Sequence, residues 1–160
     1  MTGSAVSLGE TMVAPGGADP STLVEWGGAD DPFRLGVASG LPRADGATIW
    51  TRLAPRPLDE GGGVQGGAVR VRWEVWPDEG GAPLRAGSAA AEPAWGHSVR
   101  VELRGLEPGR RYRYRFASGD AVSPFGRFGT APAAGESGRL RLVFASCQQY
   151  EQGFSAAWRH

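Results

Sequence analysis

The 160-residue chain has room for one ordinary domain, or for one domain and part of another, and its hydrophobic content of 41% is enough for a core. Its 17 Lys and Arg balance 17 Asp and Glu, so net charge makes no case for nucleic acid or an anionic membrane surface. A single Cys precludes an internal disulfide, and no apolar run approaches the roughly 18 residues of a transmembrane helix.

Residues 1–31 are small, polar and Gly-rich without a lasting period, which predicts a disordered leader. They lack the basic start and apolar core of a signal peptide. Order is expected from "DPFRLGVASG", where Phe33, Leu35 and Val37 alternate with smaller or polar neighbours as in a half-buried strand. "ATIWTRL" repeats the signal, with Ile49 facing opposite to Trp50. "DEGGGVQGG" is a loop and not a phosphate cradle, because no Lys-Ser/Thr pair and no helix follow it. In "VRVRWEVW" the alternation is strict, with Val69, Val71, Trp73 and Val75 on one face and Arg70, Arg72, Glu74 and Trp76 on the other. "HSVRVELRGLEPG" is another strand running into a turn, and His97 at its start is expected at the surface or in the turn. "RRYRYRF" puts Tyr112, Tyr114 and Phe116 inward and Arg111, Arg113 and Arg115 outward; "SPFGRFGTAP" closes the set.

Short strands separated by turn signals, with 26 Gly and 12 Pro to make the turns, predict an all-β antiparallel sandwich over residues 32–132. Leu106-Glu107-Pro108-Gly109 followed by Tyr112 resembles the tyrosine-corner region of immunoglobulin-like and fibronectin type III domains. Trp50 and Trp73 are expected in the core. Glu74 and Glu102, beside outward arginines, read as cross-strand ion-pair formers rather than an acid/base couple. The arginines Arg70, Arg72, Arg111, Arg113 and Arg115 line one sheet face, which is either solvated, packed on a domain or open to anions.

"TAPAAGESGR" breaks the pattern, and residues 133–139 read as a linker. "LRLVFASC" is then nearly continuous in apolar character, as in strands buried on both faces of a layered α/β domain, and it ends on Cys147. Residues 140–160 are expected to open a second domain. Spacing alone leaves Cys147 open between a small buried hydrophobe and a thiolate ligand or nucleophile. Neither His97 nor His160 forms a metal-binding cluster with it in sequence.

The successive stretches "FRLGVASGLPRADGATIWTRLAP", "VRWEVWPD", "HSVRVELRGLEPGRRYRYRF", "SPFGRFGTAP" and "LRLVFASCQQYEQGF" resemble the N-terminal part of the alkaline phosphatase D (PhoD-like) family. That resemblance implies an immunoglobulin-like domain ahead of a metallophosphoesterase domain that hydrolyses phosphate mono- and diesters with iron and calcium. It implies that Cys147, in the "ASCQ" motif, stands at a family iron-ligand position. The family's "GDYIYE"-like motif and later Asp, Asn and His ligands are not among these residues, nor is its export signal, typically a twin-arginine peptide. The expectation is therefore an accessory domain with one ligand of an incomplete metal site and no catalysis by this chain alone. The rival expectation is a free-standing fibronectin-type binding module. Expected partners are a phosphate ester where a catalytic core is supplied, no nucleic acid, and further copies of the chain through the unpaired strand beginning at Leu140.

Overall fold

The computed structural model describes residues 12–13, 20–136, 141, 143 and 144. Among them are nine strands: β1 (Met12–Val13), β2 (Val37–Arg43), β3 (Gly46–Arg52), β4 (Val69–Pro77), β5 (Arg85–Ala91), β6 (Ser98–Glu102), β7 (Arg111–Ser118), β8 (Ala121–Val122) and β9 (Gly126–Gly129). The only helical pieces among the described residues are three short 3₁₀ turns. One sheet runs β1-β6-β3-β2; the other runs β5-β4-β7-β8, with β9 also paired to β7. Every strand pairing is antiparallel. The fold is the all-β immunoglobulin/fibronectin III-like sandwich expected from the turn spacing.

The core forms where the inward rows of the two sheets meet. Ile49, Val99 and Val101 from the first sheet face Val71, Val75 and Phe116 from the second, and all are almost fully buried. Each such side chain contributes about 1.5–3 kcal/mol by leaving water. Two glycines make room for the largest rings. Trp73 pairs in register with Gly87, where an added Cβ would come within 2.6 Å of the indole. Tyr114 pairs with Gly126, where an added Cβ would overlap the phenol ring. A glycine across from an inward aromatic lets the ring lie flat over the neighbouring backbone.

Three expectations change. Trp50 is not a core residue: Ile49 takes the inward position of β3, and strict alternation turns the indole to the outer face, where it is half-buried. Residues 33–36 form a turn rather than a strand, because Asp31 Oδ1 accepts the Phe33 N–H at 2.9 Å and Gly36 N–H closes on the Phe33 carbonyl at 2.7 Å. Phe33 is buried by this turn, and Leu35 is left exposed. Order also reaches upstream of residue 32. Val24 bridges Val69, Trp26 N–H donates to Ser118 Oγ at 3.1 Å, and the Trp26 ring packs against the core.

The tyrosine corner is present. Tyr112 Oη accepts the Glu107 N–H at 3.0 Å and donates to the Glu107 carbonyl at 3.3 Å. The same carbonyl accepts the Thr130 hydroxyl at 2.7 Å, so one turn ties the start of β7 to the residue after β9. Tyr112→Phe leaves partly buried backbone groups of Glu107 without these bonds and should lower stability by about 1–3 kcal/mol in urea unfolding. A loss within about 0.3 kcal/mol, the size of ordinary unfolded-state effects, would show that the hydroxyl does not brace the turn.

Candidate functional site

The chemistry-bearing side chains of the described residues gather on the outer face of the second sheet. Period two turns Glu74 and Trp76 outward from β4, and Arg113 and Arg115 outward from β7. The same period, run back from β9, turns Phe125 outward beside them. Trp76 lies opposite Arg113, which lies opposite Arg127. The rings and guanidinium groups interleave. The Arg115 head sits 5.0 Å from the Trp76 ring and 5.6 Å from Phe125, the Arg113 head 5.1 Å from Phe125, and the two rings meet edge to face at 5.5 Å. Cation–π contacts of this kind hold a guanidinium plane in one orientation. They also cover Trp76, which is 8% exposed despite its outward direction, whereas Phe125 remains 51% exposed.

The arginines of this face differ in their partners. Arg115 donates through Nε and Nη2 to Glu74 Oε2 at 3.1 and 3.0 Å. Arg127 donates to Asp78 at 3.0 Å, Arg70 lies 3.6 Å from Glu25, and Arg72 donates to the Gly119 carbonyl at 2.8 Å. Arg111 is exposed. Arg113 forms no ion pair among the described residues, and its Nε–H is buried without an acceptor. Beside the ladder lies a depression of about 350 Å³, lined by Arg72, Glu74, Ala86, Arg115, Ala117 and Val122. The ion-pair reading of Glu74 and Glu102 agrees with these contacts, since Glu102 takes both Arg43, at 3.3 Å, and Arg104.

Cys147 and His160 lie outside the described residues. Among the described residues no three His, Cys, Asp or Glu side chains converge as a metal site, so these residues do not fit iron or calcium. No helix among them is long and apolar enough to cross a membrane.

His97 lies in the turn before β6, as expected, but not at the surface. It adopts φ 57° and is 4% exposed. Its backbone is held at both ends, by N–H donation to the Glu92 carbonyl at 2.9 Å and acceptance from Leu53 N–H at 3.1 Å. Neither ring nitrogen makes a well-formed hydrogen bond. Local sequence gave no sign of this burial, because the groups that act on the ring, the Gly67 backbone and Arg52 of β3, lie far from it in the chain. Desolvation lowers its pKa below the ordinary 6.5; the Gly67 backbone opposes that, and the Arg52 charge adds to it. The unfolded chain therefore takes up a proton at a higher pH than the folded one. Stability is fully present above about pH 7, falls as pH drops through 6.5, and levels once it has passed the folded pKa. Thermal unfolding measured from about pH 7.5 down to 5 should show this acid loss, and His97→Asn, which tolerates the left-handed backbone, should flatten it. An NMR titration giving His97 a pKa at or above 6.5 would reject the account.

Sandwich topology and the tyrosine corner define an immunoglobulin-like domain, with paired arginines and aromatics on one outer face. The chain belongs to the family described as PhoD-like phosphatase, N-terminal domain, which it matches over residues 18–132. It is 50% identical over 131 residues to alkaline phosphatase D of Bacillus subtilis (strain 168), a match covering 81% of this chain and 22% of that protein. A solved structure of PhoD superposes with a TM-score of 0.75 at 45% identity, covering 84% of this chain and 26% of that one. The chain thus spans less than a third of the length of either relative.

Proposed function

We propose that this chain supplies the N-terminal accessory domain of a PhoD-like alkaline phosphatase or phosphodiesterase, and that phosphate-ester hydrolysis belongs to the whole enzyme. The observation that carries the reading is 50% identity to alkaline phosphatase D over a stretch that includes most of this chain and a minor part of that protein. In this reading residues 32–132 are the sandwich, 133–139 a linker and 140–160 the opening of the metallophosphoesterase domain. Cys147 is the one metal ligand the chain contributes, to iron held elsewhere by donors from the complete enzyme. One thiolate cannot hold iron or calcium, because hard cations need several converging oxygen or nitrogen donors. The described residues can brace and orient a neighbouring domain; none is placed to activate water or to protonate a leaving group. Family membership favours this reading over a free-standing binding module.

The purified chain should therefore hydrolyse neither p-nitrophenyl phosphate nor bis(p-nitrophenyl) phosphate, with iron and calcium added. Turnover abolished by Cys147→Ala would overturn the accessory reading. Turnover that appears only on mixing with a separately expressed downstream domain, and is lost in Cys147→Ala, would support it.

The tail carries a second expectation. Val143 and Phe144 are 90% and 88% exposed, and neither lies in a strand. Exposed apolar side chains of this kind seek a partner surface. The 160-residue chain should self-associate more than a chain ending at residue 132. Equal masses for the two by light scattering across a tenfold concentration range would count against it.

A further inference from the structure

Arg113 is the unusual charge of the outer face. Its guanidinium stacks on Phe125, its Nε–H is buried with no acceptor, and it forms no ion pair among the described residues. On the same face Arg115 is answered by Glu74 and Arg127 by Asp78. A guanidinium whose Nε–H is buried without an acceptor is left under-compensated by its own fold, and a carboxylate arriving on its terminal Nη groups offsets that cost. Stacking on Phe125 holds the donor fork before any ligand arrives, which reduces the ordering cost of binding. Next to this fork the surface turns apolar. Phe125 is half-exposed, and one step along the face, starting at the Arg115–Glu74 pair and reaching Arg72, lies the depression floored by Ala86, Ala117 and Val122.

We infer that the outer face of β4, β7 and β9 is a docking surface for an acidic protein segment. The segment places a carboxylate on Arg113, one apolar side chain against Phe125 and another, past Arg115, on the alanine floor. The argument is charge complementarity. An unanswered, oriented guanidinium specifies a carboxylate, and the apolar surface along the same face specifies a segment with acidic and apolar residues two positions apart, on one side of an extended chain, rather than a free anion. This assignment rests on the geometry of the face alone and stands whether or not the chain serves a phosphatase. Arg111 has the same charge on the same strand but is exposed and has no aromatic contact, so it serves as the internal control for general electrostatic attraction.

The test is an NMR titration of the full chain with an acetylated, amidated hexapeptide in which glutamate and leucine stand two positions apart with serine between them. The Arg side-chain Nε–H and Trp indole signals are followed, in parallel with inorganic phosphate as a free anion. The expected result is saturable shifts of the Arg113 Nε–H and Trp76 indole signals by peptide and not by phosphate. Arg113→Gln and Phe125→Ala should weaken affinity at least fivefold, and Arg111→Gln less than twofold. Far-UV circular dichroism and a thermal melt confirm that each variant is folded. A variant that fails this check is replaced by Arg113→Lys, which keeps the charge, loses the planar fork and should also weaken binding. Shifts spread equally over all arginines, equal effects of Arg111→Gln and Arg113→Gln, the same shifts with phosphate, or no shift at millimolar peptide would each overturn the proposal. So would concentration-dependent shifts of the same signals without peptide, which would assign the face to a second copy of the chain.

Discussion

In β7 the letters "RYRYRF" put a large ring on one face of the strand and a guanidinium on the other at every step. This strand pairs with β4 on one side and with β8 and β9 on the other, so its register sets both neighbours. With Tyr112, Tyr114 and Phe116 inward, the core receives three large rings; Tyr114 meets Phe116, and Tyr112 and Tyr114 both meet Phe128. A slip by one residue would exchange all three rings for Arg111, Arg113 and Arg115. Each ring would forfeit about 1.5–3 kcal/mol of burial, and three guanidinium groups would enter a core that offers them no carboxylate. No competing register comes near this one. The outer face is therefore a consequence of the inner one: the demand for aromatics inside places the arginines in a row outside.

The sandwich is closed at its edges by a few polar contacts rather than by more apolar area. At one edge β2 of the first sheet meets β9 of the second, with Ser39 Oγ donating to the Arg127 carbonyl at 3.3 Å and Ala131 N–H to the Arg43 carbonyl at 2.9 Å. The Glu107 turn is the hub beside this seam. Its carbonyl takes hydroxyls from both Tyr112 and Thr130, while Arg110 N–H donates to Thr130 Oγ1 at 3.0 Å. These bonds replace backbone pairing that the change from one sheet to the other interrupts, so the groups exposed by the crossover do not remain orphaned.

Most of this was legible because period two is a strong local signal. Val69 to Val75 and Tyr112 to Phe116 show their inward faces in the letters alone, and a tyrosine placed after Leu-Glu-Pro-Gly carries its own hydrogen-bond geometry. The features that were not legible depend on distant partners. Trp50 looks like core by size, yet the smaller Ile49 holds the inward slot. Residues 24–26 look like a polar leader, yet Val69 and Ser118, far along the chain, give them a place to dock. His97 is polar and sits in a turn, and nothing nearby in sequence announces its burial beside the Gly67 backbone and Arg52. For the candidate face, the alternation put Trp76, Arg113 and Arg115 together. The part played by Phe125 follows from the same period carried back through "SPFGRF", and the isolation of Arg113 follows from where the carboxylates fall, which spacing does not show.

Where they fall explains how a chain with balanced charges comes to have a basic face. Glu102 is taken by Arg43 and Arg104, Asp59 and Asp30 by Arg56, and Glu107 by Arg110, all in loops or on the first sheet. On the second sheet Asp78 takes Arg127 and Glu25 lies by Arg70, and on the outer row of β7, among the described residues, only Arg115 meets a carboxylate, that of Glu74. Charges separated by more than about 8 Å are largely screened at physiological salt, so a surface responds to its local balance and not to the total. The neutral sum excludes a broadly basic protein that binds polyanions through its whole field. It leaves room for a single oriented guanidinium on an apolar ledge. Such a group acts at contact distance, where desolvation and geometry decide the partner and net charge does not.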